Sequence, residues 1–392
     1  MKTILILGAG LWQLPYLRKA KEMGLHVCAT DWCESPEGIE YVDVFRCISV
    51  RDKEQSLAFA IENNIDAVFT NSDVAVPTAA YIANILHLPC YTQEQAEIAT
   101  NKYQMRNFIK LLGLQVPEFY LCHSKTELLE KFSVLAKKAI VKPVDNCGSR
   151  GVYIVNNETD VTGVAQDVFA NSFSGEILLE EFMVGDESSV EVLVENKIPV
   201  ILGWCRKKKS PEPYRFDIQL DYFYNASIKE DLQVQKMVET LVSGLGYENG
   251  IMHIEFMWTS VGIKIIEFAL RGCGSNVITH LMPELRGFDI MQYLLKKALG
   301  ENVQIQLSKK IPGTLKFIIP QEGMIKSIRG IEQVWKVDGL IDFHTDLAMG
   351  YKIGTIKNGR LRPGYFIICG DSQERVLKSI SQVEELLQIE YV

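Results

Sequence analysis

In the first ninety residues the apolar positions form short continuous runs separated by amphipathic stretches. TILIL, HVCATD and DAVFT read as strands, and LPYLRKAKEMG and EQSLAFAIENN as helices. Apolar runs without alternation suit strands buried on both faces, and helices between them predict a parallel sheet with right-handed crossovers. The texture changes at Asn101, where NKYQMRNFIKLLGLQVPEFY has the period of a basic amphipathic helix ending at Gly113, with Pro117 beyond it. AIVKPV then enters the acidic, glycine-rich DNCGSRGVYIV, and LLEEFMVGDESSVEVLVENK and VILGWC alternate as antiparallel strands do. A helix is expected from about 229 to 244. GIMHIEFMW and KIIEFAL follow as a hairpin across TSVG. Past Ile311, short strands and Gly/Pro turns lead to a last helix near 373 to 387. The pattern predicts a multidomain α/β and α+β chain with units at 1–100, 101–305 and 306–392.

Composition narrows the class. With 392 residues, 47% of them hydrophobic and 23% charged, the chain is too long for one core and too apolar for disorder. A formal charge of -8 argues against a broad nucleic-acid surface, which needs concentrated basic charge. No apolar run reaches the roughly 18 residues of a membrane span, and Met1 leads directly into a strand-like run, so a cytoplasmic chain without a signal peptide is expected. The nine cysteines form no C-x-x-C pair and the six histidines no H-x-x-x-H spacing. Any metal is therefore expected to be a hard cation held by oxygen.

Four stretches carry candidate chemistry. GAGLWQLP begins like a dinucleotide turn, and Asp31 ends the second strand where a ribose-binding acid would sit, but Gln13 replaces the third glycine. A substrate-binding or structural turn is the favoured reading. NCGSRG, preceded by Lys142, could aim successive backbone N–H groups at anionic oxygens, or be an ordinary hairpin turn. LLEEFMVGDE places Glu180 at a strand end and Glu187 across a glycine turn, with Phe182 as apolar cover for an adenine, or forms a solvated turn. A hairpin across TSVG is expected to set Glu255 opposite Glu267. Directly opposed acids repel unless a cation lies between them, which Mg²⁺ would supply, and Arg271 just beyond could meet an anion on that metal. The alternative is a pair of exposed acids on an edge. His253 reads as a packed or hydrogen-bonded side chain.

Taken in order, Lys102, VKP with GSRG, EEFMVGDE, HIEF and EFALRGCG resemble the ATP-grasp superfamily, and most of all its carboxylate-amine ligases that join amino acids into dipeptides. The resemblance implies a parallel-sheet preATP-grasp domain at 1–100, a two-subdomain ATP-grasp fold at 101–305 and a small α+β domain like that of biotin carboxylase at 306–392. It implies that Lys102 and Lys142 contact ATP phosphates, that Gly148, Ser149, Arg150 and Gly151 form a mobile loop over them, and that Glu180, Phe182 and Glu187 hold adenosine. Glu255 and Glu267 match its Mg²⁺ carboxylates, with Mn²⁺ as the alternative ion, and Arg271 matches the arginine that steadies the acyl phosphate. Ala269 departs from the family's second-metal Asn, so Glu267 would have to bridge both ions or Asn276 substitute. His253, Arg271 and Asn276 are the substrate candidates, with Arg206 and the 207–209 lysine run behind them, although such a run also reads as solvated. The implied activity is ATP-dependent joining of a small carboxylate, an amino acid above all, to an amine. The alternatives are bicarbonate or formate chemistry, as in purine-pathway relatives, or a non-catalytic ATP sensor. The expected partners are small molecules, not nucleic acid or membrane, and a homodimer is allowed.

Overall fold

The computed structural model describes residues 1–135, 138–148, 150–212, 214–223 and 226–392. Strands β1 (Thr3–Leu7), β2 (His26–Asp31), β3 (Val44–Cys47) and β4 (Ala67–Phe69) form a parallel sheet in the order β3-β2-β1-β4. Helices Leu14–Glu22, Lys53–Glu62 and Val76–Leu86 cover it, the last unforeseen in the sequence reading. The chain winds one way through β2 and β3, and β4 lies on the other side of β1. This reversal leaves a crevice at the carboxyl ends of β1 and β4. Hydrogen bonds knit its two walls: Thr70 donates to the Leu7 carbonyl, Gln13 Nε2 to Asn71 Oδ1, and Asn71 Nδ2 to the Trp12 carbonyl. Asp31 is buried, and its carboxylate accepts from the Ala9 and Cys33 amides, so it braces the glycine turn. The Glu37 carboxylate lies against Gly10, where a pyrophosphate would have to approach.

A second, antiparallel sheet holds β5 (Phe119–Cys122), β6 (Ala139–Pro143), β7 (Tyr153–Val155) and β8 (Ile177–Glu181) in the order β5-β8-β6-β7. Its core is shared with helices Lys125–Leu135 and Glu158–Ala170, neither of which the sequence reading named.

The main sheet is built from β9 (Asp186–Glu195), β10 (Ile198–Lys209), β11 (Asp217–Tyr222), β12 (Gly250–Thr259) and β13 (Gly262–Ala269). The C-terminal strands are β14 (Gly313–Phe317), β15 (Gly323–Arg329), β16 (Leu340–Thr345), β17 (Lys352–Ile353), β18 (Gly364–Cys369) and β19 (Gln388–Tyr391). Three of these extend the main sheet to the order β13-β12-β9-β10-β11-β14-β18-β16, while β17-β15-β19 form a small sheet beside helix Gln373–Leu386. The C-terminal strands thus continue the main sheet: β14 covers the edge of β11, which would otherwise expose a row of unpaired backbone groups.

Helix Ile228–Leu245 packs on one face of the main sheet against Val190, Ile254, Phe256 and Ile265. The π-turn Val277–Leu281 and helices Met282–Arg286 and Ile290–Ala298 pack on the other, against Cys205, Leu220 and Leu315. The polar site occupies this second face.

Candidate functional site

The site begins at the β12–β13 hairpin. Leaving the turn, Thr259 pairs with Gly262 and Phe256 with Ile265, and continuing that register would set Glu255 opposite Ile266. A bulge shifts it, so that Glu255 faces Glu267. The expected pairing holds, through an extra residue rather than simple continuation. Phe256 and Ile265 fill the core behind the sheet, and the bulge turns Glu267 toward the opposite side, a common use of bulges beside functional sites.

The freed carbonyl of Ile266 accepts from Arg106 Nη2 at 2.5 Å. Arg106, in helix Lys102–Leu111, is fully buried, and its Nε donates to Glu180 at 2.6 Å. Glu180 is 2% exposed, and its other oxygen lies 2.7 Å from Lys142. Burial works against the Glu180 charge, but Arg106 and Lys142 outweigh it and hold the carboxyl below its usual range. Burial pushes the Lys142 ammonium down to about 8. Both Glu180 oxygens are thus committed to cations. Phe182 lies beneath Lys138, 4.0 Å from its ring centre.

Asn101 caps the helix that carries Lys102 by accepting from the Tyr103 and Gln104 amides, which aims Lys102 at the glycine-rich loop. Lys102 Nζ donates to the Asn146 carbonyl at 2.5 Å and lies 4.0 Å from Glu267. Gly151 has φ +68°, and a side chain there would strike Asn171 and Pro143, so the loop requires glycine. Gly148 also has positive φ, and Arg150 is exposed. Ser149 falls outside the described residues.

The lysine run is not solvated as a unit. Lys207 and Lys209 point inward on alternate positions of β10, while Lys208 points out to Asp221. Lys207, 3% exposed at its side chain, contacts Glu255 at 2.7 Å and Glu187 at 3.2 Å. Lys209 contacts Glu187 and Asp217, both at 2.9 Å. Glu187, expected at adenosine, therefore joins this charge cluster. His253 is buried, with Nδ1 at 2.6 Å from Glu191 and Nε2 at 3.1 Å from Glu255. Burial disfavours its charge, but Glu191 and then Glu255 raise it to about 9, so it sits as an imidazolium between two carboxylates. Glu191, unread in the sequence, is fully buried and also accepts from the Cys273 amide.

Arg271 donates through Nε and Nη2 to the two oxygens of Asp73, at 2.8 and 2.6 Å, and through Nη1 to the Gly272 carbonyl. Lys102, Asn146, His253, Glu267, Arg271 and Asp73 line one cleft of about 160 Å³. Asn276 is left-handed at φ 62°, donates through Nδ2 to the Tyr365 hydroxyl at 2.5 Å and accepts at Oδ1 from Thr279 Oγ1 at 3.3 Å.

Glu255 and Glu267 are opposed on paired strands, with Glu267 on the cleft wall, and such a carboxylate pair is a donor set for a hard divalent cation. Glu267 is half-exposed there and has no cation closer than Lys102 among the described residues. Glu255 already contacts Lys207 and His253, which leaves Glu267 as the carboxylate open to a further cation. The residues fit Mg²⁺ or Mn²⁺.

Residues 135–280 match the ATP-grasp domain, and residues 316–392 match the L-amino acid ligase C-terminal domain 2. Dapdiamide A synthase of Enterobacter agglomerans is 23% identical over 82% of this chain and 79% of its own. Phosphoribosylamine–glycine ligase of Methanococcus vannielii is 27% identical over 57% of this chain, which spans 56% of that relative's length. The solved L-amino acid ligase of Bacillus licheniformis superposes over 100% of this chain and 99% of its own, with TM-score 0.82 and 22% identity. Two matched domains in this order, around a cleft lined by acids and cations, identify an ATP-grasp domain followed by an L-amino acid ligase C-terminal domain 2 in this chain.

Proposed function

We propose that the protein uses ATP to convert a small carboxylate, an amino acid above all, into an acyl phosphate and joins it to an amine. The observation that carries this reading is the bulge-enforced pairing of Glu255 with Glu267, with Arg271 beyond it in the cleft that holds Lys102. The match to the L-amino acid ligase C-terminal domain 2 supports an amino acid as the carboxylate.

A carboxylate is a poor electrophile until one of its oxygens becomes a leaving group, and phosphorylation supplies that. Lys102 and Lys142 orient the phosphates, and the 146–151 loop covers them and keeps water from the acyl phosphate. Glu255 and Glu267 would hold the divalent ion, which when bound neutralises phosphate charge. Arg271 steadies the oxyanion as the amine attacks. Positioning and charge neutralisation carry such transfers. ADP release should rise with amino acids as carboxylate and amine. A panel in which only bicarbonate or formate stimulates release would transfer the site to those substrates, and binding of ATP without turnover on any of them would make it a sensor.

Lys142 yields a pH test. Its ammonium, lowered to about 8, is needed by phosphate, so nucleotide affinity should fall as pH rises through about 8, and binding at higher pH should take up a proton. The stability sign is opposite. Between about 8 and the ordinary 10.5 the folded chain binds fewer protons than the unfolded one, so this group's contribution to stability rises with pH. Calorimetry near pH 8.5 in buffers of different ionisation heat reads the proton directly. Identical heats after buffer correction would separate Lys142 from the phosphates.

A further inference from the structure

We propose that Asp73 is the positioning residue of Arg271: the N-terminal domain fixes the plane of the guanidinium so that its free edge meets the reacting oxyanion. The inference rests on the proposed role of Arg271 at the acyl phosphate.

Asp73 follows β4 in a short 3₁₀ turn, Asp73–Ala75, at the mouth of the crevice between the carboxyl ends of β1 and β4. In open α/β sheets this is where ligands are met. The loops that form the crevice are braced by the Thr70, Gln13 and Asn71 hydrogen bonds, so Asp73 is presented from a stiff support. Its carboxylate lies side-on to Arg271, at 2.8 Å from Nε and 2.6 Å from Nη2, and both side chains are largely buried. The third constraint is the Gly272 carbonyl on Nη1, at 2.8 Å.

A guanidinium has five N–H donors. Three are used here, which leaves one on each terminal nitrogen. Among the described residues these two have no partner, and Arg271 lines the cleft that contains Glu267 and Lys102. A planar group held at three points offers its remaining pair as a preset fork for two oxygens of a carboxylate or phosphate. Asp73 thus acts through Arg271 and also sets an anion near the incoming one. Its removal should loosen the fork while easing the approach of the substrate, a split that a structural ion pair would not produce.

The test is steady-state kinetics of Asp73→Asn with the amino acid pair that best stimulates ADP release in the wild-type enzyme. The expected result is a kcat lower by about tenfold, a KM for the carboxylate that is unchanged or lower, and a KM for ATP within about twofold of wild type. In an Arg271→Lys background, Asp73→Asn should add no further loss, because the fork is already gone. Should Asp73→Asn not fold, Asp73→Glu retains the charge and the pairing but displaces the guanidinium, and the same fall in kcat is expected. A normal kcat in a folded Asp73 variant overturns the proposal, as does a rise in carboxylate KM with kcat intact. The two readings fail separately: a fully active Arg271→Lys enzyme removes the role of Arg271 and this inference with it, whereas impaired Arg271→Lys beside normal Asp73→Asn removes only the inference.

Discussion

Glu267→Gln is expected to lower ADP formation by about 100-fold or more and to weaken Mn²⁺ or Mg²⁺ binding, while leaving the folded chain as stable as the wild type. The swap keeps size and removes one formal charge. Glu267 is half-exposed and its nearest cation, Lys102, is 4.0 Å away, so the carboxylate contributes little to folding. What it loses is the charge that, with Glu255 directly opposite, would hold the ion. A merely structural surface glutamate would tolerate this change within about 0.5 kcal/mol and with normal rate. Electron paramagnetic titration of Mn²⁺ reads the metal independently of turnover. Wild-type Mn²⁺ affinity together with wild-type ADP release in the glutamine variant would remove Glu267 from the centre.

Lys207→Met should destabilise the protein by about 3 kcal/mol, the lower end of the range for breaking a buried ion pair. Lys207 is nearly fully buried and faces Glu255 and Glu187, with Asp217 at 3.9 Å. Methionine fills similar volume but leaves those acids under-neutralised. Lys209 and His253 keep partial hold on Glu187 and Glu255, which is why the lower end applies. Urea unfolding followed by the fluorescence of Trp204 and Trp258, both in this sheet, measures the loss. Added Mg²⁺ should recover part of it in the variant, because an ion beside Glu255 replaces some of the missing charge. A midpoint equal to wild type would mean that the lysine is dispensable and the cluster looser than its distances imply.

Arg106 ties the surroundings of Lys142 to those of Glu267. One guanidinium holds Glu180, which in turn holds Lys142, and also the carbonyl freed by the bulge that aims Glu267. Lys142 and Glu267, the lysine and acid proposed for phosphate and metal, are therefore positioned by the same buried side chain.

The amino-acid pattern alone determined the parallel N-terminal sheet, the alternating strands and the hairpin with two acids, because buried strands, amphipathic helices and turns are local in period. The helices Lys53–Glu62, Ile228–Leu245 and Gln373–Leu386 lie within a few residues of where periodicity and caps place them. The motif order also pointed to the family. Tertiary structure decided the rest. A period of two would have sent Glu267 to the core with Ile265, and only the bulge, held by Arg106 from 160 residues away, turned it to the cleft. Which charges are buried likewise depends on partners distant in the chain: Arg271 meets Asp73 across 198 residues, and Lys207 meets Glu255 across 48. A run of lysines carries no mark of which member will find carboxylates on neighbouring strands. Nor does a C-terminal set of short strands reveal that β14 will continue the central sheet, since its pairing with β11 is a long-range hydrogen-bonding choice with no counterpart in local periodicity.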